Sequence, residues 1–329
     1  MRTLACASML AVILLWGCAQ PQAAPQLLKL STGPKDATYF LLGEELATVY
    51  NAALKEIRAE TIPSGGGSAN IEAVQAGTAQ VGLAPADSSY VAYTQGTDAT
   101  PHPYRHLRAI AVLFPNTVHL IVRKDSAIRT LAGLRGNRVG VGRPGQFVSS
   151  SELRVGREIG PTLAAVFEAS SSRHEASGTR ERRLALDDVM PLLGRGEIEV
   201  GYLVGGPPFR PVTQAADAYG VRFLDIDDNA LSRIRARHPF FKRAIIPAGT
   251  YKGQPTNVQA IAIDNLLICR DDLPTELVYR LTRAFYEGLP ALAARHASAQ
   301  YINPDNGVAT PIPLHEGAAR YYRERELLR

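Results

Sequence analysis

His106–Ser126 reads HLRAIAVLFPNTVHLIVRKDS, an apolar run with one interruption at Phe114-Pro115-Asn116. Proline has no backbone N–H to give a ladder, so the run is expected to be two strands broken at that tripeptide, the second entering a new structural unit. A second stretch, NVQAIAIDNLLICRDDLP at Asn257–Pro274, echoes it: an apolar run, an interruption, and then LLICRDDLP against the earlier LIVRKDSAI. Two matching long strands at that separation suggest two crossings between α/β domains.

The segments around these crossings alternate in the same sense. LLKLSTG (Leu27–Gly33) is a short strand pattern stopped by glycine. In TYFLLGEELATVYNAAL, Leu42, Leu46, Val49 and Ala53 recur at helical spacing. Strand-like IRAETIP (Ile57–Pro63) precedes a glycine run. Helical ANIEAVQAGTA (Ala69–Ala79) then ends at Ala-Gly before the strand QVGLAP (Gln80–Pro85). That order implies a parallel sheet with right-handed crossovers. After the first crossing a second alternation starts: a helix at TLAGLRG, a strand at RVGVG, the loop RPGQFVSS (Arg143–Ser150) and a helix at SELRVGREIG. Ser170–Arg182 is polar and reads as a loop, and TRERR (Thr179–Arg183) as a solvated helix start or loop. Helical ALDDVMPLLGRGEI and the strand EVGYLVGG complete the second unit. TELVYRLTRAFYEGLPAL forms a last helix, with Leu277, Leu281, Ala284 and Phe285 on one face. The fold expected is α/β with two lobes and a ligand cleft between them. Lobe I covers 27–115 and 256–329, and lobe II covers 116–255 with the hinge returns.

Composition admits such a fold. The chain has 329 residues, 46% hydrophobic and 20% charged, enough for a sizeable core and most simply for two domains. The net charge of +5 is spread over 36 basic and 31 acidic residues, with no basic block interleaved with aromatics, which argues against nucleic acid as a partner. The N-terminus, MRTLACASMLAVILLWGC, has a positive start at Arg2 and an apolar stretch from Met9 to Trp16, too short to span a bilayer. Residues 1–18 therefore read as a signal peptide. Leu15-Trp16-Gly17-Cys18 resembles a bacterial lipobox, which implies a lipid on Cys18 and a membrane anchor; the alternative is a plain signal peptide cleaved nearby. Residues 19–26, within which QPQAAPQ falls, suit a tether. Cys6 would leave with the signal and Cys18 would carry lipid, so Cys269 is left without a disulfide partner and reads as a buried packing residue.

Ser64–Asn70, SGGGSAN, is the most distinctive short motif. A nucleotide-gripping loop needs GxxxxGK[ST], and no lysine follows here. The flanking strand and helix patterns exclude a free linker. What remains is a turn whose backbone N–H groups and hydroxyls face the cleft, where glycine permits close approach and a helix N-terminus favours an anion. Ser64, Gly66, Gly67, Ser68 and Asn70 are its candidate ligand contacts, although Ser68 could instead be a helix N-cap and Asn70 a turn closure. Thr38 and Tyr39, at the start of the first helix, could touch solute, or cap and pack. Asp87 and Ser88, after QVGLAP, could line the cleft or form an Asx-turn. Gln146, Ser149 and Ser150 are the facing donors of lobe II, or caps. Pro207 would shape the wall, and Arg143 or Lys35 could supply a cation for a carboxylate. No GxSxG nucleophile elbow occurs, and no pair of histidines at HxxxH or HxH spacing has a neighbouring carboxylate. No catalytic residue, metal or cofactor is expected.

The order of motifs resembles the TAXI family of solute receptors for TRAP transporters, within the type II periplasmic binding-protein fold. TGPKDATYFLLG resembles its opening segment, and IPSGGGSANIEAVQAGTAQVGLAPADSSYVAY its central signature. RAIAVLFPNTVHLIVRKDSAIRTLAGLRGNRVGVGRPG resembles its passage into the second lobe, and GRGEIEVGYLVGGPP and IPAGTYKGQPTNV match later landmarks. The resemblance implies a periplasmic, monomeric receptor that closes on a small organic acid or an amino acid such as glutamate. It delivers that solute to the membrane subunits of a TRAP permease, and it is not an enzyme. Two segments depart from the family pattern: Pro34-Lys35-Asp36 in the first loop and GQFVSS (Gly145–Ser150) in the second. They leave open a sensor or adaptor signalling to a membrane histidine kinase, or an ABC-type binding protein.

Overall fold

The computed structural model describes residues 25–328, apart from 36, 98–99, 135–136, 143–179, 185 and 238–239. β1 (Gln26–Ser31) leads through α1 (Thr38–Ala53) to β2 (Ile57–Ile62), and α2 (Gly67–Gln75) returns the chain to β3 (Val81–Pro85) and α3 (Ala86–Gln95). β1 runs parallel to both β2 and β3, in the order β2-β1-β3. Parallel neighbours need crossovers, which α1 and α2 supply. On α1 the buried ridge is Leu42, Leu46 and Tyr50, spaced four apart; Val49 is half-buried and Ala53 exposed, so the face is rotated from the sequence expectation toward Tyr50.

β4 (Leu107–Arg123) is one continuous strand of 17 residues, which corrects the expected break at Phe114-Pro115-Asn116. Its antiparallel partner there is β10 (Val258–Arg270). Pro115 pairs with Asp264, and the register slips between Asp264 and Leu266. Leu113 and Phe114 stand opposite Asn265 alone, so the residue without an N–H borders a bulge in its own strand, where the ladder is interrupted in any case.

Past Thr117, β4 gains new partners. β7 (Val200–Gly205) pairs antiparallel with Thr117–Val122, and β8 (Val221–Phe223) with Ile121–Arg123. The first half of β10 pairs with β9 (Lys242–Ile246) and its second half with β3 and β4. β5 (Arg138–Gly142) lies parallel to β7 and to β6 (Arg180–Leu184). The TRERR segment is thus largely an edge strand and not a loop or helix start, because β5 offers it a ladder that no local signal announces. Among the described residues the strands form a ten-stranded sheet, ordered β2-β1-β3-β10-β4-β7-β5-β6, with β8 on β4 and β9 on β10. Around it are α4 (Leu186–Gly194), α5 (Arg210–Ala218), α6 (Asp228–Arg237), α7 (Thr275–Arg295) and α8 (Glu316–Glu324). The architecture is a two-lobed α/β fold in which β4 and β10 belong to both lobes.

The core follows this plan. Leu28, Leu30, Leu46, Leu83, Leu113, Leu267 and Phe285 form one apolar cluster with the C-terminal helices, and Ile121, Leu193, Leu203 and Val212 form another in lobe II. A third holds Val112 and Val118, on either side of Pro115, together with Val139, Val200 and Leu266. Apolar contact is continuous through the crossing. Cys269 is buried on β10 and its thiol is pushed up by burial, which suits packing and not nucleophilic attack. Among the described residues, no helix is long and apolar enough to cross a membrane.

Lobe II contains a fully buried histidine, His119 of β4. Its Nδ1–H donates to the Thr117 carbonyl at 3.0 Å, so Nε2 must accept from the Tyr251 hydroxyl at 2.7 Å. That hydroxyl oxygen in turn accepts from the Phe209 N–H at 2.8 Å, just before α5. Phe209, Phe223 and Tyr251 ring the imidazole and none carries charge. Burial pulls the His119 pKa down from 6.5 to about 4. A lowered histidine pKa means that the unfolded chain takes up the proton first. The contribution to stability is therefore complete above pH 6.5 and is lost as pH falls toward 4, by about 3 kcal/mol in all. Urea unfolding between pH 7.5 and 4 is expected to show that loss, and His119→Gln to lack most of it while being less stable at neutral pH.

Candidate functional site

Because β2, β1 and β3 are parallel, their C-terminal ends share one edge, and the N-termini of α1, α2 and α3 collect there. The edge is stitched by backbone before any side chain is considered. Thr32 N–H donates to Ile62 O at 3.1 Å, and Ser64 N–H to Gly33 O at 3.2 Å. Gly66, the N-cap of α2, has φ of 105°, a conformation that suits glycine alone. At Gly67 a Cβ would fall 2.3 Å from Pro85 Cδ, so the start of α2 rests directly on the end of β3.

Asn70 holds these pieces together. Its Nδ2 donates to Thr32 O and to Leu83 O, while its Oδ1 accepts from Ser31 Oγ at 2.7 Å and Ser64 Oγ at 2.6 Å. The side chain is fully buried and its hydrogen-bonding capacity is used within the lobe. This corrects the expectation that Asn70 contacts ligand: it ties the ends of β1, β2 and β3 into one frame. Ser64 is half-buried, and its hydroxyl also accepts from Gly66 N–H at 3.0 Å, so it too serves the turn. Ser68 is the second residue of α2, inside the helix and not at its N-cap. Thr38 opens α1, half-buried, behind Ala37 as N-cap.

The third component is the strand crossing. Asn265 of β10, opposite Pro85 of β3, is fully buried. Its Oδ1 accepts from the Tyr39 hydroxyl and from Asn116 Nδ2 at 3.1 Å, and its Nδ2 donates to Phe114 O at 2.9 Å. Tyr39 meets the Phe114 ring edge-on with centroids 6.2 Å apart. The tyrosine pKa is raised, first by burial and then by the carboxylate of Asp87, so the phenol stays protonated and donates. Asp87 and Ser88 are buried in the first turn of α3, with Ser88 Oγ 3.4 Å from Asp87 Oδ1. On β10, burial raises the Asp264 pKa and its ion pair with Lys242 of β9 opposes the rise. Pro207 is buried where the chain leaves β7. The adjacent Gly206 packs close to Phe114, since a Cβ there would lie 3.5 Å from its ring, so Pro207 borders the crossing.

The structure thus gathers Thr38, Tyr39, Ser64, Gly66, Gly67, Ser68, Asp87 and Ser88 on one polar edge, with Pro207 at the crossing. Arg143, Gln146, Ser149 and Ser150 lie outside the described residues, as does Cys18. Lys35 is exposed. Asn116, Asn265 and Asp264 were not anticipated as site residues, although Asp264-Asn265 stand out as polar residues inside an apolar run. Among the described residues no group of three histidine, cysteine or acidic side chains could hold a metal ion.

These features define a two-lobed binding-protein fold with a polar edge beside the crossing. The chain belongs to the NMT1-like family, whose sequence profile matches residues 30–325. Among solved structures it is similar to a TctC solute binding protein from Polaromonas, with 16% identity, a TM-score of 0.56, and coverage of 93% of this chain and 99% of that one. The periplasmic aliphatic sulphonate binding protein SsuA from Escherichia coli matches with 14% identity and a TM-score of 0.50, over 93% of this chain and 94% of that one. A Xanthomonas citri protein bound to ATP matches with 12% identity and a TM-score of 0.51, over 91% of this chain and 95% of that one. At these identities the likeness is one of fold.

The frame role of Asn70 predicts a stability effect. Asn70→Asp keeps the shape but turns an acceptor toward two carbonyls, and is expected to lose about 3 kcal/mol in urea unfolding at pH 7. A loss below about 1 kcal/mol would contradict the assignment.

Proposed function

We propose that the protein is an extracytoplasmic receptor that captures a small carboxylate or amino acid between its lobes and delivers it to a TRAP-type permease. The observation that carries this reading is the convergence, at one edge, of the glycine turn, the N-termini of α1, α2 and α3, and the strands shared by both lobes. Helix N-termini with exposed N–H groups favour an anionic group, and shared strands let one lobe rotate against the other around it. Family membership and the similarity to solute-binding proteins support the binding role. The order of motifs supports the TRAP partnership. In this reading Arg143, Gln146, Ser149 and Ser150 close on the solute from lobe II, and a lipid on Cys18 holds the receptor at the membrane outside the cytoplasm, as a monomer.

The mature protein is expected to show a saturable thermal shift with at least one member of a panel of small carboxylates and amino acids, accompanied by a smaller radius of gyration in solution scattering. Absence of any shift across the panel would sink the binding role. Labelling of cells with a clickable palmitate analogue is expected to mark the wild type and not Cys18→Ser; an unlabelled wild type would remove the anchor.

A further inference from the structure

The hydrogen-bond pattern at the crossing determines which way each group points. The Phe114 carbonyl can only accept, so the Asn265 amide must present Nδ2 to it, at 2.9 Å. That places Asn265 Oδ1 toward Tyr39 and Asn116, and an amide oxygen can only accept. Tyr39 must therefore donate its O–H, and Asn116 must turn Nδ2 inward, at 3.1 Å. What Asn116 keeps for a further partner is its Oδ1, beside the second hydrogen of Nδ2, and what Tyr39 keeps is the lone-pair side of its oxygen. Asn265 is fully buried, so this orientation is not averaged by solvent, whereas Tyr39 and Asn116 are both half-buried. A single buried carboxamide thus takes the only donor of Tyr39 and one of the two amide hydrogens of Asn116, and leaves an acceptor oxygen on each side chain.

We propose that this acceptor pair reads a hydrogen-bond donor on the bound solute, an O–H or N–H group, with Asn116 as a contact residue and Asn265 as the residue that positions it. Resting on the binding role proposed above, this narrows the solute class. The anionic end of the ligand belongs at the helix N-termini, and the crossing favours acids that carry a hydroxyl or amino group over the same acids without one. A buried acceptor left facing a methylene loses its water and gains no partner, which is why such sites discriminate strongly.

The test uses matched pairs against the mature protein by isothermal titration calorimetry: lactate and propionate, malate and succinate, L-glutamate and glutarate. At least one donor-bearing member is expected to bind about tenfold or more tightly than its partner. Asn116→Ala is expected to bring that ratio below about threefold, and Tyr39→Phe to reduce it in part, each variant being checked for an intact melting transition. Equal binding within every pair that binds, tighter binding of the donor-free members, or a ratio unchanged in folded Asn116→Ala and Tyr39→Phe would overturn this inference while leaving the binding role standing. No binding by any member would overturn both.

Discussion

The pairing of β4 with β10 is the constraint on which the rest of the molecule depends. Each strand contributes one half to each lobe, so the lobes are joined by hydrogen-bonded strands and not by a loose linker. Relative motion must then be a twist or bend of that pair, and the natural place for it is where the ladder is already irregular. That place is the register slip at Asp264–Leu266, opposite Pro115. The missing N–H of the proline and the bulge in its own strand, at Leu113-Phe114, lie side by side, so the proline sits where the ladder is already interrupted. The slip also frees Asn265 to bond sideways, and the polar part of the crossing is a direct product of it.

Two buried asparagines divide the work at this edge. Asn70 uses its carboxamide to hold the ends of three parallel strands, and the glycines at 66 and 67 let the α2 turn sit against β3. Asn265 uses its carboxamide to orient side chains that remain partly accessible. The same chemistry gives different results because the partners differ. Asn70 bonds backbone carbonyls and serine hydroxyls that already belong to the frame, while Asn265 bonds the tips of two side chains. In a low-dielectric setting a fully bonded amide is rigid, and each of them confers that rigidity on its neighbours. The buried His119–Tyr251 chain has a comparable effect in lobe II, fixing the start of α5 through the Phe209 N–H.

Much of the fold was legible along the chain. LLKLSTG, IRAETIP and QVGLAP became β1, β2 and β3, and the Ala-Gly stop of α2 appeared where Gly77 takes a φ of 74°. These signals are local: side-chain period, a glycine that can turn, a run of β-branched residues. The misreadings were of another kind. Arg180–Leu184 carries no strand pattern and is a strand because β5 pairs with it. Pro115 looked like a terminator and is not one, because β4 itself bulges beside it, at Leu113-Phe114, and the strand then continues. At the site, SGGGSAN was read as a turn ahead of a helix, but the helix already starts at Gly67, and the role of its asparagine depended on Ser31, Thr32 and Leu83, which no spacing within the motif can indicate.

The sequence by itself determined the two-lobed α/β plan and the position of the glycine turn at a strand end, because both follow from periodicity and backbone freedom over a few residues. Only the tertiary structure decided which polar groups meet. Tyr39 and Asn265 are 226 positions apart, and Asn116 and Asn265 149 apart. Such pairs form only after β10 has been threaded between β3 and β4, and the direction of each hydrogen bond then follows from a carbonyl that can do nothing but accept.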